Sequence, residues 1–152
     1  MPPASKRQEI LEYLRTVCLP KIKRSATYNF DVKLVERGLR HIESLDESKF
    51  PALFISETDE VRENLTKNQF KATLTTYILG YVKNRTGINQ VQLELDQLID
   101  DVASALEEDR LQGNRVKWTE VKRVRTDRGD LDPHAAMVVQ VEFTYTDEGF
   151  HT

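Results

Sequence analysis

The chain has 152 residues, 39% of them hydrophobic and 31% charged, and a net charge of −3. That length permits a substantial buried core without metals or disulfides, and a pI near 5.7 argues against a dedicated nucleic-acid binder, whose phosphate contacts need clustered Lys and Arg. Cys18 is the single cysteine, so an internal disulfide is excluded and a reducing compartment, the cytoplasm, is expected for synthesis; no apolar run approaches the ~20 residues of a membrane span, and Met1-Pro2-Pro3 with Lys6 and Arg7 lacks the apolar core of a signal peptide.

In chain order, Ile10, Leu11, Leu14, Val17 and Cys18 recur at helical spacing, with Ser5 placed to cap the start and Pro20 to end the helix. Cys18 falls near the end of this stripe, where a buried thiol is expected rather than a nucleophile. Lys21-Ile22-Lys23-Arg24-Ser25 reads as a basic, mobile link. Val32 to Leu39 alternates weakly and predicts a strand with a bulge or bend at Gly38. Phe50-Pro51-Ala52-Leu53-Phe54-Ile55 is a compact apolar run bounded by turn-forming acids and serines, a strand with Pro51 near its start.

The longest pattern follows. Phe70, Ala72, Leu74, Thr76, Ile78 and Val82 share one face of a strand, while Lys71, Thr73, Thr75, Tyr77, Leu79 and Tyr81 share the other. Such a strand reaches about 40 Å at roughly 3.3 Å per residue. Its second face starts polar and turns apolar, so its later half asks for cover on both sides, from a local element or from a neighbouring subunit. After a break at Thr86-Gly87, Val91, Leu95, Leu98, Ile99, Val102, Ala105 and Leu106 form the apolar stripe of a long helix, with Asn89 as N-cap and Gly113 as stop. Glu94, Asp96, Asp100, Asp101, Glu107, Glu108 and Asp109 occupy its other faces. They predict an acidic, solvated outer surface.

Two strands close the chain: one around Val116, Trp118 and Val121 or Val124 with an irregular phase, and one that alternates cleanly through Met137, Val139, Val141, Phe143 and Tyr145. The polar loop Thr126 to His134 joins them as a hairpin with a long tip. The order helix, three strands, helix, two strands predicts an α+β fold with a mainly antiparallel sheet backed by two helices. Residues 1–152 are expected to form a single domain with short mobile termini.

Chemistry is sparse. His41, His134 and His151 stand in separate segments without a second ligand at metal-binding spacing. Glu120-Val121-Lys122 has the form of half a nuclease motif, without an acidic metal ligand placed on an adjoining strand. Asp96 and Asp100 share a helical face, but nothing near them splits their pKa values for acid–base work. Arg128-Gly129-Asp130 fits a turn. No phosphate-binding glycine loop or nucleophile elbow is present, so no catalytic, metal or cofactor residue is assigned, and a binding or structural part is expected.

Val35-Glu36-Arg37-Gly38-Leu39, the Phe50–Ile55 run, the long strand, the Asp-rich helix ending Ala105-Leu106 with Asp109 and Leu111 behind it, and a hairpin closing on Val141-Glu142-Phe143-Thr144-Tyr145 together resemble the tail terminator proteins of tailed bacteriophages. The resemblance spans residues 7 to 146. It implies a structural virion protein of the tail and neck, assembled in the host cytoplasm. It also implies a homohexameric ring that caps the tail tube, stops its polymerisation and meets the neck or head-completion protein. Tyr77, Leu79 and Tyr81 are then candidates for the contact between subunits. Glu94, Asp96, Asp100 and Asp101 are candidates for an acidic lumen or outer surface past which DNA moves without sequence-specific binding. Arg123, Arg125, Arg128, Asp130, Asp132 and His134 are candidates for tube or neck contacts. No membrane partner is expected. The alternatives are another neck or head–tail connector ring protein, a cytoplasmic protein-binding adaptor and, more distantly, a nuclease using Glu120 and Lys122.

Overall fold

Helix α1 (Lys6–Tyr13) begins with a reciprocal cap: Ser5 Oγ accepts from the Gln8 N–H while the Gln8 side chain accepts from the Ser5 N–H. The structure, a computed structural model, describes residues 3–39, 41–83, 87–127 and 134–148. A π-turn, Leu14–Cys18, prolongs α1, and its extra residue per turn rotates the apolar stripe. Ile10, Leu11, Leu14 and Cys18 are buried as expected, but Val17 is 48% exposed, and Leu19 and Ile22 enter the core instead. The basic segment after Pro20 is pinned, contrary to its reading as a mobile link. Ile22 is buried, Lys23 Nζ donates to the Val32 carbonyl at 3.0 Å, and the Arg24 N–H donates to Asp31 at 2.6 Å.

Among the described residues five strands form one sheet in the order β1-β2-β3-β5-β4. They are β1 (Leu34–Arg37), β2 (Ala52–Thr66), β3 (Gln69–Lys83), β4 (Trp118–Thr126) and β5 (His134–Glu148). Only the β1–β2 pair is parallel, so the mainly antiparallel α+β reading holds. Gly38, at φ 85°, stands just past β1 and donates its N–H to the Ile55 carbonyl at 2.9 Å; it ends the strand rather than bulging it. The larger departure is β2. The apolar run supplies only Ala52–Ile55 of its 15 residues, and the acids and serines after Ile55 continue the strand instead of turning. Ser56 to Thr66 is polar on both faces, which hides its alternation, and its extended form comes from pairing with β3 from Thr58↔Thr76 to Thr66↔Gln69. The irregular phase of β4 is a register shift between Val121 and Arg123.

Helix α2 (Ile88–Glu108) buries Val91, Leu95, Leu98, Val102, Ala105 and Leu106, with Ile99 packed at the margin. Its N-cap is Gly87, at φ 134°, and Asn89 lies inside the first turn. Asp109 closes the helix, and Gly113 belongs to the reversal that follows, where Gln112, Gly113 and Asn114 all take positive φ. The core lies between the helices and one face of the sheet, where Ala72, Leu74, Ile78, Met137, Val139, Val141 and Phe143 are fully buried. α2 closes on β3 at Gly80: a Cβ there would stand 2.9 Å from Leu98 Cδ2 and 2.7 Å from Met137 Cε.

Asp101 contradicts its reading as part of the acidic outer surface. It is 1% exposed and accepts from the Asn29 N–H at 2.9 Å, the Phe30 N–H at 2.9 Å and the Asn29 amide at 3.0 Å, tying the chain before β1 to the middle of α2. An Asp101→Ala protein leaves those donors unmatched and is expected to lose about 1–3 kcal/mol in urea unfolding, with Asp101→Asn losing less. Equal losses for the two variants would mean that the hydrogen bonds do not carry the effect.

Candidate functional site

The face of the sheet turned away from the core is organised by register. Alternation places Tyr77, Leu79 and Tyr81 of β3 on this face, and each is half-buried. Leu79 is flanked by Phe54 on β2 and Val138 on β5, with Arg125 of β4 beyond Val138. Tyr77 is flanked by Ser56 and Gln140, with Arg123 beyond Gln140. These two rows make a groove of about 370 Å³ with an apolar floor of Tyr77, Leu79 and Val138, a basic rim of Arg123 and Arg125, and Leu39 at the opposite side. The buried residues of α1 and α2 join the core on the other face.

The structure therefore brings together residues that the sequence assigned to two separate contacts. Tyr77 and Leu79, read as a subunit interface, share one groove with Arg123 and Arg125, read as tube or neck contacts. Tyr81 stands one row further on, edge-to-face with the fully buried Phe54 at 5.7 Å, and burial followed by the Asp127 carboxylate raises its pKa, so it stays a neutral phenol. Four groove residues escaped the sequence reading: Leu39, Ser56, Val138 and Gln140. The alternation that puts Val139 in the core turns Val138 to the other face, but its companions there are set by the strand order. The 59% exposure of Leu39 just past a glycine turn is visible only in the fold.

His134 is elsewhere. It opens β5 opposite Lys83 and packs against Phe50 with ring centroids 5.3 Å apart. Phe50 lines a second recess of about 330 Å³ with Phe30, Pro51, Val82, Lys83 and Glu94. Arg128, Asp130 and Asp132 lie outside the described residues, as does His151. Asp96 and Asp100 are exposed on α2 as expected. Further along the helix Glu108 accepts from Tyr28 Oη at 2.8 Å and lies 3.6 Å from Lys21 Nζ.

At the proposed half nuclease motif, Lys122 Nζ sits 3.2 Å from Glu120 and 4.0 Å from Glu142, a local ion pair on the exposed terminal strand. Among the described residues no group of three or more His, Cys, Asp or Glu converges on a metal position. The Cys18 thiol is buried and points to the Ala105 carbonyl at 3.6 Å; burial pushes its pKa up to about 11, which suits packing rather than reactivity. No helix among the described residues is long and apolar enough to cross a membrane.

A charged cluster stands at the far end of the sheet. Glu60 accepts from Tyr145 Oη and from Arg62 Nε, while Arg7 lies at 4.0 Å and Arg62 stacks over Phe70 at 4.3 Å. Burial alone would raise the Glu60 pKa, but the hydrogen bonds from Tyr145 and Arg62 together with the charges of Arg62 and Arg7 outweigh it and hold the carboxyl below its ordinary value. A carboxyl with a depressed folded pKa stabilises the fold above its unfolded pKa, about 4.3 for Glu, and that contribution fades as pH falls through the folded value. Glu60→Gln is therefore expected to be less stable than the parent at pH 7 and to converge with it on acidification. A stability gap that stays constant from pH 7 to pH 3 would contradict this.

Residues 4–151 match the family model described as Bacteriophage Tail Tube Terminator Protein. No individual curated protein matches the chain.

Proposed function

Because the chain belongs to the bacteriophage tail tube terminator family, we propose that it closes the end of a tail tube as a homohexameric ring, arrests tube polymerisation and offers its free side to the neck of the filled head. The observation that supports this reading best is the groove on the outward sheet face, an apolar floor rimmed by Arg123 and Arg125. A rotational ring is built from heterologous contacts, in which one patch of each copy meets a different patch of the next. Such a patch needs a desolvated apolar centre and a charged margin that sets orientation. Tyr77, Leu79 and Tyr81 supply the centre, and the two guanidinium groups supply the margin. Arg128, Asp130, Asp132 and His134 are assigned the contact with the tube or the neck.

The exposed carboxylates of α2, Asp96 and Asp100 with Glu94 beside them, face the channel in this arrangement. Like charge keeps passing DNA from adhering, since phosphate binding requires Lys and Arg. The protein acts as a structural part of the virion, assembled in the host cytoplasm, with other copies of itself, the tube protein and a neck or head-completion protein as its partners. Negative-stain averages of tube ends prepared with the purified chain test the ring. A sixfold density seated on the tube end is the expected result, and bare ends at saturating protein would overturn it.

A further inference from the structure

The β2–β3 hairpin carries a surface that its own copy does not use. β1 covers the outer edge of β2 only along Ala52–Ile55, and the stretch beyond, from Thr58 to Thr66, pairs with β3 alone among the described residues. Val61 is 66% exposed and Leu65 49% exposed on this stretch. Asp59, Val61 and Glu63 lie opposite Thr75, Thr73 and Lys71, which puts all three on the face that carries the groove. They form a row of acid, apolar residue, acid along an open strand edge. Exposed apolar side chains along an unpaired strand edge are an association surface unless something covers them.

The groove presents the converse pattern. Its floor of Leu79, Val138 and Tyr77 is apolar, and its rim is the exposed pair Arg123 and Arg125 on the terminal strand β4. The hairpin row and the groove occupy different places on one sheet, so one copy cannot satisfy itself but a chain of copies can. Resting on the ring reading above, we propose that the Asp59–Val61–Glu63 row on the β2 edge of each copy seats in the arginine-rimmed groove of the next. Val61 meets the apolar floor, and Asp59 and Glu63 meet Arg123 and Arg125. The contact is heterologous, so it propagates in one rotational sense and closes when the rotation allows. Because its margin is ionic and solvent-reached, added salt weakens it.

Charge exchange tests this in solution. Arg123→Glu with Arg125→Glu gives a protein whose groove and β2 row are both acidic; Asp59→Lys with Glu63→Lys gives one in which both are basic. Light scattering after gel filtration, at concentrations where the parent forms rings, should find each variant unassembled alone, with half-assembly raised at least tenfold in concentration. An equimolar mixture should recover rings of alternating composition, which a folding defect in either variant would prevent. Parent rings together with variants that assemble unaided, or a mixture that fails to recover, would overturn the hairpin-in-groove contact while leaving the ring intact. A parent that stays monomeric both alone and on tubes would overturn the ring reading and this contact with it.

Discussion

A Leu79→Lys protein is expected to fold, to melt within a few degrees of the parent, and to fail to assemble or to cap tubes. Leu79 lies half-buried at the centre of the groove floor, on the face turned away from the helices, between Phe54 and Val138. An ammonium there costs the isolated chain little, because its long stem lies along the apolar floor while the charge reaches water. Against a partner the same charge is sealed under the apolar side chain that covers the floor, and it competes with Arg123 and Arg125 for the same two carboxylates. Central, desolvated positions dominate interface energies, and a loss of about 3 kcal/mol or more raises the concentration needed for assembly over a hundredfold. Gel filtration and thermal melting of the same preparation separate the two effects. A variant that melts normally and still forms rings would remove the groove from the interface.

The largest loss of stability is expected from Phe143→Ala. Phe143 is fully buried on β5, a strand paired on both sides, and its backbone neighbours are Leu74 on β3 and Thr119 on β4. Interior packing at crystal-like density leaves such a void unfilled, so the variant loses both the transfer energy of the ring and the contacts around the cavity. A loss of about 3–5 kcal/mol follows, a large share of the stability of a domain this size. Urea unfolding should show the midpoint fall with little change in slope. A loss below about 1 kcal/mol would mean that the sheet closes over the gap.

The contrast between these two residues marks what the sequence makes legible. Phe143 and Leu98 are assigned to the core by period alone, because β5 alternates cleanly and α2 keeps one stripe for its whole length. Leu79 is also visible, as the apolar turn on an otherwise polar face of β3. Its company is not. The sequence separates it from Arg125 by 46 positions, and only the order β3-β5-β4 sets the two in one row. Non-local register is the piece that periodicity does not encode.

Other misreadings have local causes. The Ser56–Thr66 part of β2 has no apolar face, so it reads as a turn although β3 holds it extended. Asp101 carries the same charge as Asp100 next to it, and its role depends on the N–H groups of Asn29 and Phe30, which no side-chain pattern announces. Val17 leaves the core because a single π-turn shifts the phase of α1, a backbone event without a marked residue type. Each of these errors falls where a main-chain group or a distant strand decides the outcome.

Tube length is the most direct readout of termination. Tube protein polymerised with increasing amounts of the purified chain should give progressively shorter tubes, whose growing ends carry a sixfold ring and no longer extend when fresh tube protein is added. A length distribution unchanged at saturating protein, with ends that continue to grow, would contradict it.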